Sequence, residues 1–370
     1  MMRLGLPLLV LVATLGAACE EKKPSTESAR ADSGAGTDKY ATADPKLANA
    51  LQAAASDSGR ADHGPPPDGI FAAGQADGRH PQGSPTTVDV VADGSEPRVA
   101  LAAPAGDAAF DARPSTYGRA ALETAVQMGP RNVIVLDFGL SIGAAKKDEG
   151  GPGWLVADVK TAVPAERQMG QLPPGTDKDV ASLAGTSMRI KLTADGRESE
   201  LQVQPGKSTR PELERLAMNA AEALVLATVP LPARPVGVGA QWIAETRMPL
   251  SGLDVIAYRA YRVKEIDGDR LKLALDVKAY AANTDVKLQG VPKGASLQQF
   301  DAQAHADMEL VRGELMARKA DIQQRVTMLF QAAGAGAQAQ GMPPGGNLLS
   351  AQVQSEATLV RGDDLRVTAK

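Results

Sequence analysis

Residues 263–280 read VKEIDGDRLKLALDVKAY. Beyond Asp267-Gly268-Asp269, the residues Leu271, Leu273, Leu275 and Val277 recur at every second position. Successive side chains of a strand point to opposite faces, so this period gathers the four on one side of an extended segment. An Asp-Gly centre between two such runs is the turn chemistry of a hairpin. The stretch therefore predicts two antiparallel strands, and the same reasoning extends outward in both directions.

Upstream, MRIKLTADGRESELQV (Met188 to Val203) predicts a second hairpin about Asp195-Gly196. In NVIVLDFGLSI (Asn132 to Ile142), Ile134, Leu136, Phe138, Leu140 and Ile142 point one way, and Val133, Val135, Asp137 and Ser141 the other. Downstream, Phe300, Ala302, Ala304, Ala306, Met308 and Leu310 alternate with Asp301, Gln303, His305, Asp307 and Glu309 until Gly313. The following GELMARKADIQQRVTMLF fits a helix through Ile322, Val326 and Leu329, or a strand through Met316, Ala320, Ile322, Val326, Met328 and Phe330. We read it as a strand, because the strand before it needs a nearby partner. Residues 331–347 form a low-complexity loop, and a last hairpin is expected at Arg361-Gly362-Asp363.

One segment is helical. Thr209-Arg210-Pro211-Glu212 has the form of a capping box with Pro in the first turn. Leu213, Leu216, Ala217, Ala220 and Leu224 then recur at helical spacing, with Glu214, Arg215, Asn219 and Glu222 opposite, until Pro230 and Pro232. The expected fold is α+β and mainly antiparallel β: a strongly curved sheet or partial barrel with one long amphipathic helix packed on it. It occupies residues 85–370, with the helix near 210–228. Aromatic residues are only 3% of the chain, so the core must be aliphatic.

The 370 residues carry a formal net charge of -4 and no Lys/Arg cluster, which argues against nucleic acid as a partner. A single Cys and three His leave little for a soft-metal site, and no cofactor is expected. That Cys stands at the end of MMRLGLPLLVLVATLGAACEE. Arg3 gives a positive n-region, and Leu4 to Leu15 an apolar h-region shorter than the roughly 20 residues a membrane span needs. Gly16-Ala17-Ala18 supply small residues before Cys19, so residues 1–18 have the anatomy of a signal peptide. Residues 19–84 are rich in Ala, Gly, Ser, Asp, Pro and Lys, the composition of a disordered spacer. Within it, GPPPDGIFAAGQADGRH (Gly64 to His80) is more specific, and Ile70 and Phe71 are placed to dock on the folded body.

Several motifs bear on chemistry. Gly139-Leu140-Ser141-Ile142-Gly143 matches the serine hydrolase elbow G-x-S-x-G, but AAKKDEGGPG cannot supply the helix that must follow. Asp301, His305, Asp307 and Glu309 could chelate a hard cation, although a solvated polar face explains them at less cost. His63 and His80 read as solvated, and Arg361-Gly362-Asp363 as a turn rather than an adhesive tripeptide. Trp154, Trp242, Tyr258 and Tyr261 read as strand residues, the two tyrosines on opposite faces. No catalytic residue is assigned, and the chain is not expected to be an enzyme.

Leu15 to Cys19 resembles the lipobox of bacterial lipoproteins, although Gly16 stands where that family usually has Leu; ordinary signal-peptidase cleavage before Cys19 also fits. The resemblance implies an acylated Cys19, with palmitate-like chains, as a stable anchor in the cell envelope. Glu20 in place of Asp after the Cys leans towards the outer membrane, facing periplasm or cell surface. LATVPLPARPVGVGAQW (Leu226 to Trp242), followed by YRAYRVKEIDGDRLKL, is similar to uncharacterised predicted lipoproteins of Gram-negative bacteria. That similarity implies fold and location, not chemistry. Three roles follow as expectations: a non-enzymatic binding or structural protein of the envelope, whose partner is another envelope protein; a carrier of a lipid or other hydrophobic ligand under a curved sheet; and, least favoured, a hydrolase using Ser141.

Overall fold

The computed structural model describes residues 66, 68–101, 116–126, 133–144, 153–164, 174–193, 195–284, 291, 294–331 and 348–360. For 116–126, 133–135, 137, 141–144, 211, 212, 215, 348 and 349 it describes the backbone alone. Cys19, His63 and Arg361-Gly362-Asp363 lie outside the described residues.

The fold is mainly antiparallel β with few helices. The strands are β1 Thr87–Ala92, β2 Thr116–Val126, β3 Val133–Ala144, β4 Gly153–Pro164, β5 Ser187–Leu192 and β6 Glu198–Gln204. They continue as β7 Gln241–Leu250, β8 Leu253–Asp267, β9 Arg270–Ala281, β10 Ser296–Val311, β11 Lys319–Gln331 and β12 Leu348–Val360. The described helices are α1 Gln75–Arg79, α2 Thr176–Ala181 and α3 Pro211–Ala227. The strands form one sheet in the order β1-β7-β8-β9-β10-β11-β12-β2-β3-β4-β5-β6.

Both hairpins read from Asp-Gly turns form as expected, with Gly196 and Gly268 at φ 79° and 58°. The ambiguous stretch is strand β11, paired with β10 on one side and β12 on the other. Strict alternation along β10 and β11 buries Ala302, Ala306, Met308, Ile322, Val326 and Phe330 and leaves their polar neighbours facing out. In β7–β9 the middle of each strand is buried on both faces. One face joins the main core. The other carries a separate cluster of Ile243, Ile256, Tyr258, Ala260, Tyr280 and Ala282, covered by Phe71 and Ala76. Residues 68–84, spacer by composition, thus pack on the β-rich body, because Ile70 and Phe71 have an apolar seat to fill.

α3 departs from its sequence reading in two ways. Thr209 does not cap it: the cap position is Arg210, and the Thr209 hydroxyl instead donates to the Ser182 carbonyl at 2.9 Å. Nor is the helix amphipathic along its length. Glu214 is exposed, but from Asn219 to Ala227 every residue is buried, including Asn219 and Glu222 at 5% and 1% exposure. Glu222 is held inside because its Oε1 accepts the Ser251 backbone N–H at 2.8 Å. At the far end of the connection leaving α3, Gly237 closes against Ser95: a Cβ there would lie 1.7 Å from the Ser95 carbonyl oxygen. This gives a physical role to the P-V-G-x-G stretch.

The gradient along α3 has a direct consequence. Glu222→Ala should destabilise the protein by about 1–3 kcal/mol, because the Ser251 N–H is left buried without its acceptor. Glu214→Ala, on the same helix, should stay within about 0.5 kcal/mol. Urea unfolding of both variants checks the contrast; equal effects would contradict the burial of the second half of the helix.

Candidate functional site

Arg259 lies at the centre of β8, register-paired with Ala244 on β7 and Val277 on β9, and is 0% exposed. Its odd-numbered neighbours Val255, Ala257, Tyr261 and Val263 all face the main core, so its guanidinium points inward too. There it meets Glu198, the first residue of β6, in a bidentate pair: Nη1 to Oε1 at 2.8 Å and Nη2 to Oε2 at 2.6 Å. Nη2 also donates to Thr246 Oγ1 at 2.7 Å, and Nη1 to the Val225 carbonyl in the last turn of α3 at 3.3 Å. A cation suits that position, since the last carbonyls of a helix carry its negative end.

Thr86, immediately before β1, completes the network. Its hydroxyl donates to Glu198 Oε2 at 2.8 Å, lies 2.7 Å from Thr246 Oγ1, and its backbone N–H donates to the Glu198 carbonyl at 2.7 Å. Burial alone would lower the Arg259 pKa, but the Glu198 carboxylate and its hydrogen bonds override it and the net shift is upward. The guanidinium is therefore permanently charged. Beside it, Tyr261 stacks on Trp242 with centroids 5.2 Å apart, and burial pushes the Tyr261 hydroxyl up. Both Nη groups of Arg259 and the two threonine hydroxyls are directed at partners within this network, while Arg259 Nε is buried without a hydrogen-bond partner. The arrangement holds chain segments together rather than presenting a reactive group. Sequence reasoning missed it, although the parity of Arg259 with Tyr261 was a usable signal.

A second constellation lies on the opposite face of the same strands. Tyr258 and Tyr280 meet edge to face at 5.9 Å, Phe71 packs on Tyr280, and the Arg79 guanidinium lies 5.2 Å over the Tyr258 ring. Arg79 Nε stands 3.4 Å from Glu245 Oε1, and His80 Nδ1 3.9 Å from the same oxygen. Burial raises the Glu245 and Tyr258 pKa values and lowers that of His80. His80, read from sequence as solvated, is thus buried, its Nε2 set 3.3 Å from the Ser84 carbonyl.

The remaining sequence candidates separate. Ser141 lies inside β3, which continues to Ala144, so the chain does not turn at the point a nucleophile elbow requires. His305 faces outward, and its Nδ1 lies 2.9 Å from Asp276 Oδ1. Asp301 pairs with Lys278 and Asp307 with Lys264, and among the described residues no group of three or more His, Cys, Asp or Glu side chains could hold a metal. Trp242 is a core residue whose Nε1 donates to the Pro230 carbonyl at 3.0 Å, whereas Trp154 is half-buried with Arg189 and Lys191 near its ring.

Two measurements follow. Glu198→Gln leaves the Arg259 charge buried and uncompensated and should cost about 3–5 kcal/mol, while the double change Glu198→Leu with Arg259→Met should cost clearly less. A double variant as unstable as the single would contradict a purely assembling role. The second concerns His305, whose pKa is raised chiefly by its hydrogen bond to Asp276. A raised pKa means the contribution is complete below the ordinary His value and is lost as pH rises through the folded value. Urea unfolding should therefore show wild type exceeding His305→Gln by less than about 1 kcal/mol at pH 5.5, the gap closing by pH 8.5. Comparing the two proteins cancels His80, whose lowered pKa acts in the opposite direction.

No family model matches the chain, and no curated protein matches it in sequence.

Proposed function

We propose that the chain is an exported, membrane-anchored lipoprotein with a non-enzymatic binding or structural role in the cell envelope. In this reading residues 1–18 are a signal peptide, Cys19 carries the acyl chains, and the segment after it spaces the β-rich body from the bilayer. The leader supports the anchoring half: Arg3, the Leu4–Leu15 run, and small residues ending at Cys19 before Glu20-Glu21. The outer membrane is the favoured address, with another envelope protein as partner.

We further infer that the sheet bends until its two ends meet around α3. Supporting this, Thr86 beside β1 bonds to Glu198 of β6, although these two strands end the sheet order. α3 also touches β2, β6, β7, β11 and β12, strands drawn from across that order. The observation that favours a binding or structural role over a hydrophobic carrier is the burial of α3 from Asn219 to Ala227 on every side. Side chains of the chain itself pack around this part of the helix.

Mass spectrometry of the protein extracted from native membranes is expected to find Cys19 as the first residue, bearing acyl chains, with Cys19→Ala recovered in the soluble fraction. An unmodified mature N-terminus would sink the anchoring reading. Stoichiometric lipid retained without acylation would favour the carrier instead.

A further inference from the structure

β9 and β10 pair from Arg270↔Val311 to Ala279↔Ala302 and then part. Asp68 to Phe71 lies between their diverging ends. Phe71 N–H donates to the Ala281 carbonyl, Ala281 N–H to the Gly69 carbonyl, and Phe300 N–H to the Asp68 carbonyl, each at 2.9 Å. The insertion is one residue deep as a ladder, a single parallel bridge of Ile70 to Ala281. It also depends on glycine: Gly69 has φ 77°, and a Cβ there would lie 1.7 Å from the Phe300 carbonyl oxygen.

Beyond the insertion the segment crosses the outer face of β7–β9. Phe71 fills the space against Tyr280, Ala76 is buried, and Arg79 lies over Tyr258. Polar contacts hold the rim. Arg247 donates to Asp77 Oδ1 at 2.5 Å and to the His80 carbonyl at 3.0 Å, and Gln82 donates to Asp254 at 3.1 Å. The fit beneath is incomplete, because Tyr258 Oη is buried with no hydrogen-bond partner. A segment of this kind, extended at a strand end and then anchored by side chains in an apolar seat, has the form of a bound peptide. It also directly follows the stretch that separates the body from Cys19.

We propose that residues 68–84 are a displaceable strap, occupying in cis a peptide-binding cleft formed by the ends of β9 and β10 and the aromatic seat beside it. The partner in trans is an extended segment of another protein in which glycine is followed by an aliphatic and an aromatic residue, as in Gly69-Ile70-Phe71. The cleft admits it because the same three backbone groups, Ala281 N–H and C=O and Phe300 N–H, read any main chain, while glycine alone clears the Phe300 carbonyl. This deepens the binding role proposed above and does not depend on acylation of Cys19.

Native-state hydrogen exchange on the full-length wild-type chain provides the primary test. The amides of Phe71, Ala281 and Phe300 should exchange through local opening, at least about tenfold faster than those of Leu273 and Leu275 within β9. Exchange of all five at the rate of global unfolding would overturn the proposal, since the segment would then be an ordinary part of the fold. The second arm uses a labelled synthetic peptide of residues 66–84 and the full-length Gly69→Ala protein, whose strap cannot seat. The peptide should bind that variant at least about tenfold more tightly than wild type, where the cis strap competes. A peptide carrying its own Gly69→Ala change should not bind. Absence of peptide binding to a folded variant would also overturn the proposal; should the variant not fold, the wild-type exchange result decides. Neither outcome bears on the state of Cys19, so failure here and failure of the anchoring reading are separately visible.

Discussion

A guanidinium cut off from water must sit where a carboxylate can reach it, and here that requirement joins Arg259 to Glu198 across 61 positions of chain. Removing two ions from water costs several kcal/mol each, and their attraction recovers this only with good geometry and further hydrogen bonds. The bidentate contact, the Thr246 and Thr86 hydroxyls and the Val225 carbonyl supply that geometry. The network draws on β6, β7, β8, the residue before β1 and the last turn of α3. An arrangement that buries these residues without bringing those segments together leaves a bare charge inside. The pair therefore acts chiefly by penalising alternative assemblies, since an apolar replacement of both members is often as stable.

The same strands fix the exit of α3. The final carbonyls of a helix lack intrahelical partners, and burying them unsatisfied would cost as much as a lost hydrogen bond. Here large side chains from β7 and β8 supply the donors. Arg259 reaches the Val225 carbonyl, Tyr261 Oη the Thr228 carbonyl at 3.4 Å, and Trp242 Nε1 the Pro230 carbonyl. Thr228 turns its hydroxyl back onto the Leu224 carbonyl, and Ala317 N–H donates to the Ala227 carbonyl. The helix can lie this deep because five of its 17 residues are alanine. Ala217, Ala220, Ala221, Ala223 and Ala227 keep the side chains short where strands approach. A chain with few aromatics places two of its largest, Trp242 and Tyr261, where their polar tips have work to do.

Period-two patterning made the strands legible because it is a local property. Leu271 to Val277 announce a buried face whatever lies opposite, and β11 was recoverable because β10 needed a partner. The buried ion pair was only half legible. Arg259 shares parity with Val255 and Tyr261, so its inward direction follows once β8 is accepted as a strand. Glu198 was invisible for a specific reason. Between Lys191↔Glu200 and Leu192↔Glu198 the ladder skips Ser199, so Glu198 falls on the side of buried Leu192 rather than where strict alternation from Leu201 would put it. Asn219 and Glu222 failed similarly: helical spacing assigns them to a polar face, and nothing local says that tertiary packing surrounds the helix there.

The two halves of the strand order differ in what they leave open. On β10 and β11 the outer face is a lattice of Asp, Gln, His and Arg, many engaged with neighbours across the strands, as in Lys278 with Asp301 and Lys264 with Asp307. Such a face is already solvated and offers a partner little apolar area to bury. On β7–β9 the outer face is aromatic and aliphatic, and left bare it would be a contiguous apolar patch of the kind that marks an interaction site. Strand pairing extends a sheet edge to edge and leaves its face uncovered. The chain covers it instead with residues 68–84, whose order is reinforced by Arg247, Asp254 and Glu245 at the rim. The inner polar network and the outer cover thus share strands β7 and β8 and divide their side chains by parity: Thr246 and Arg259 inward to assemble the body, Glu245 and Tyr258 outward to seat the segment that leads away from it.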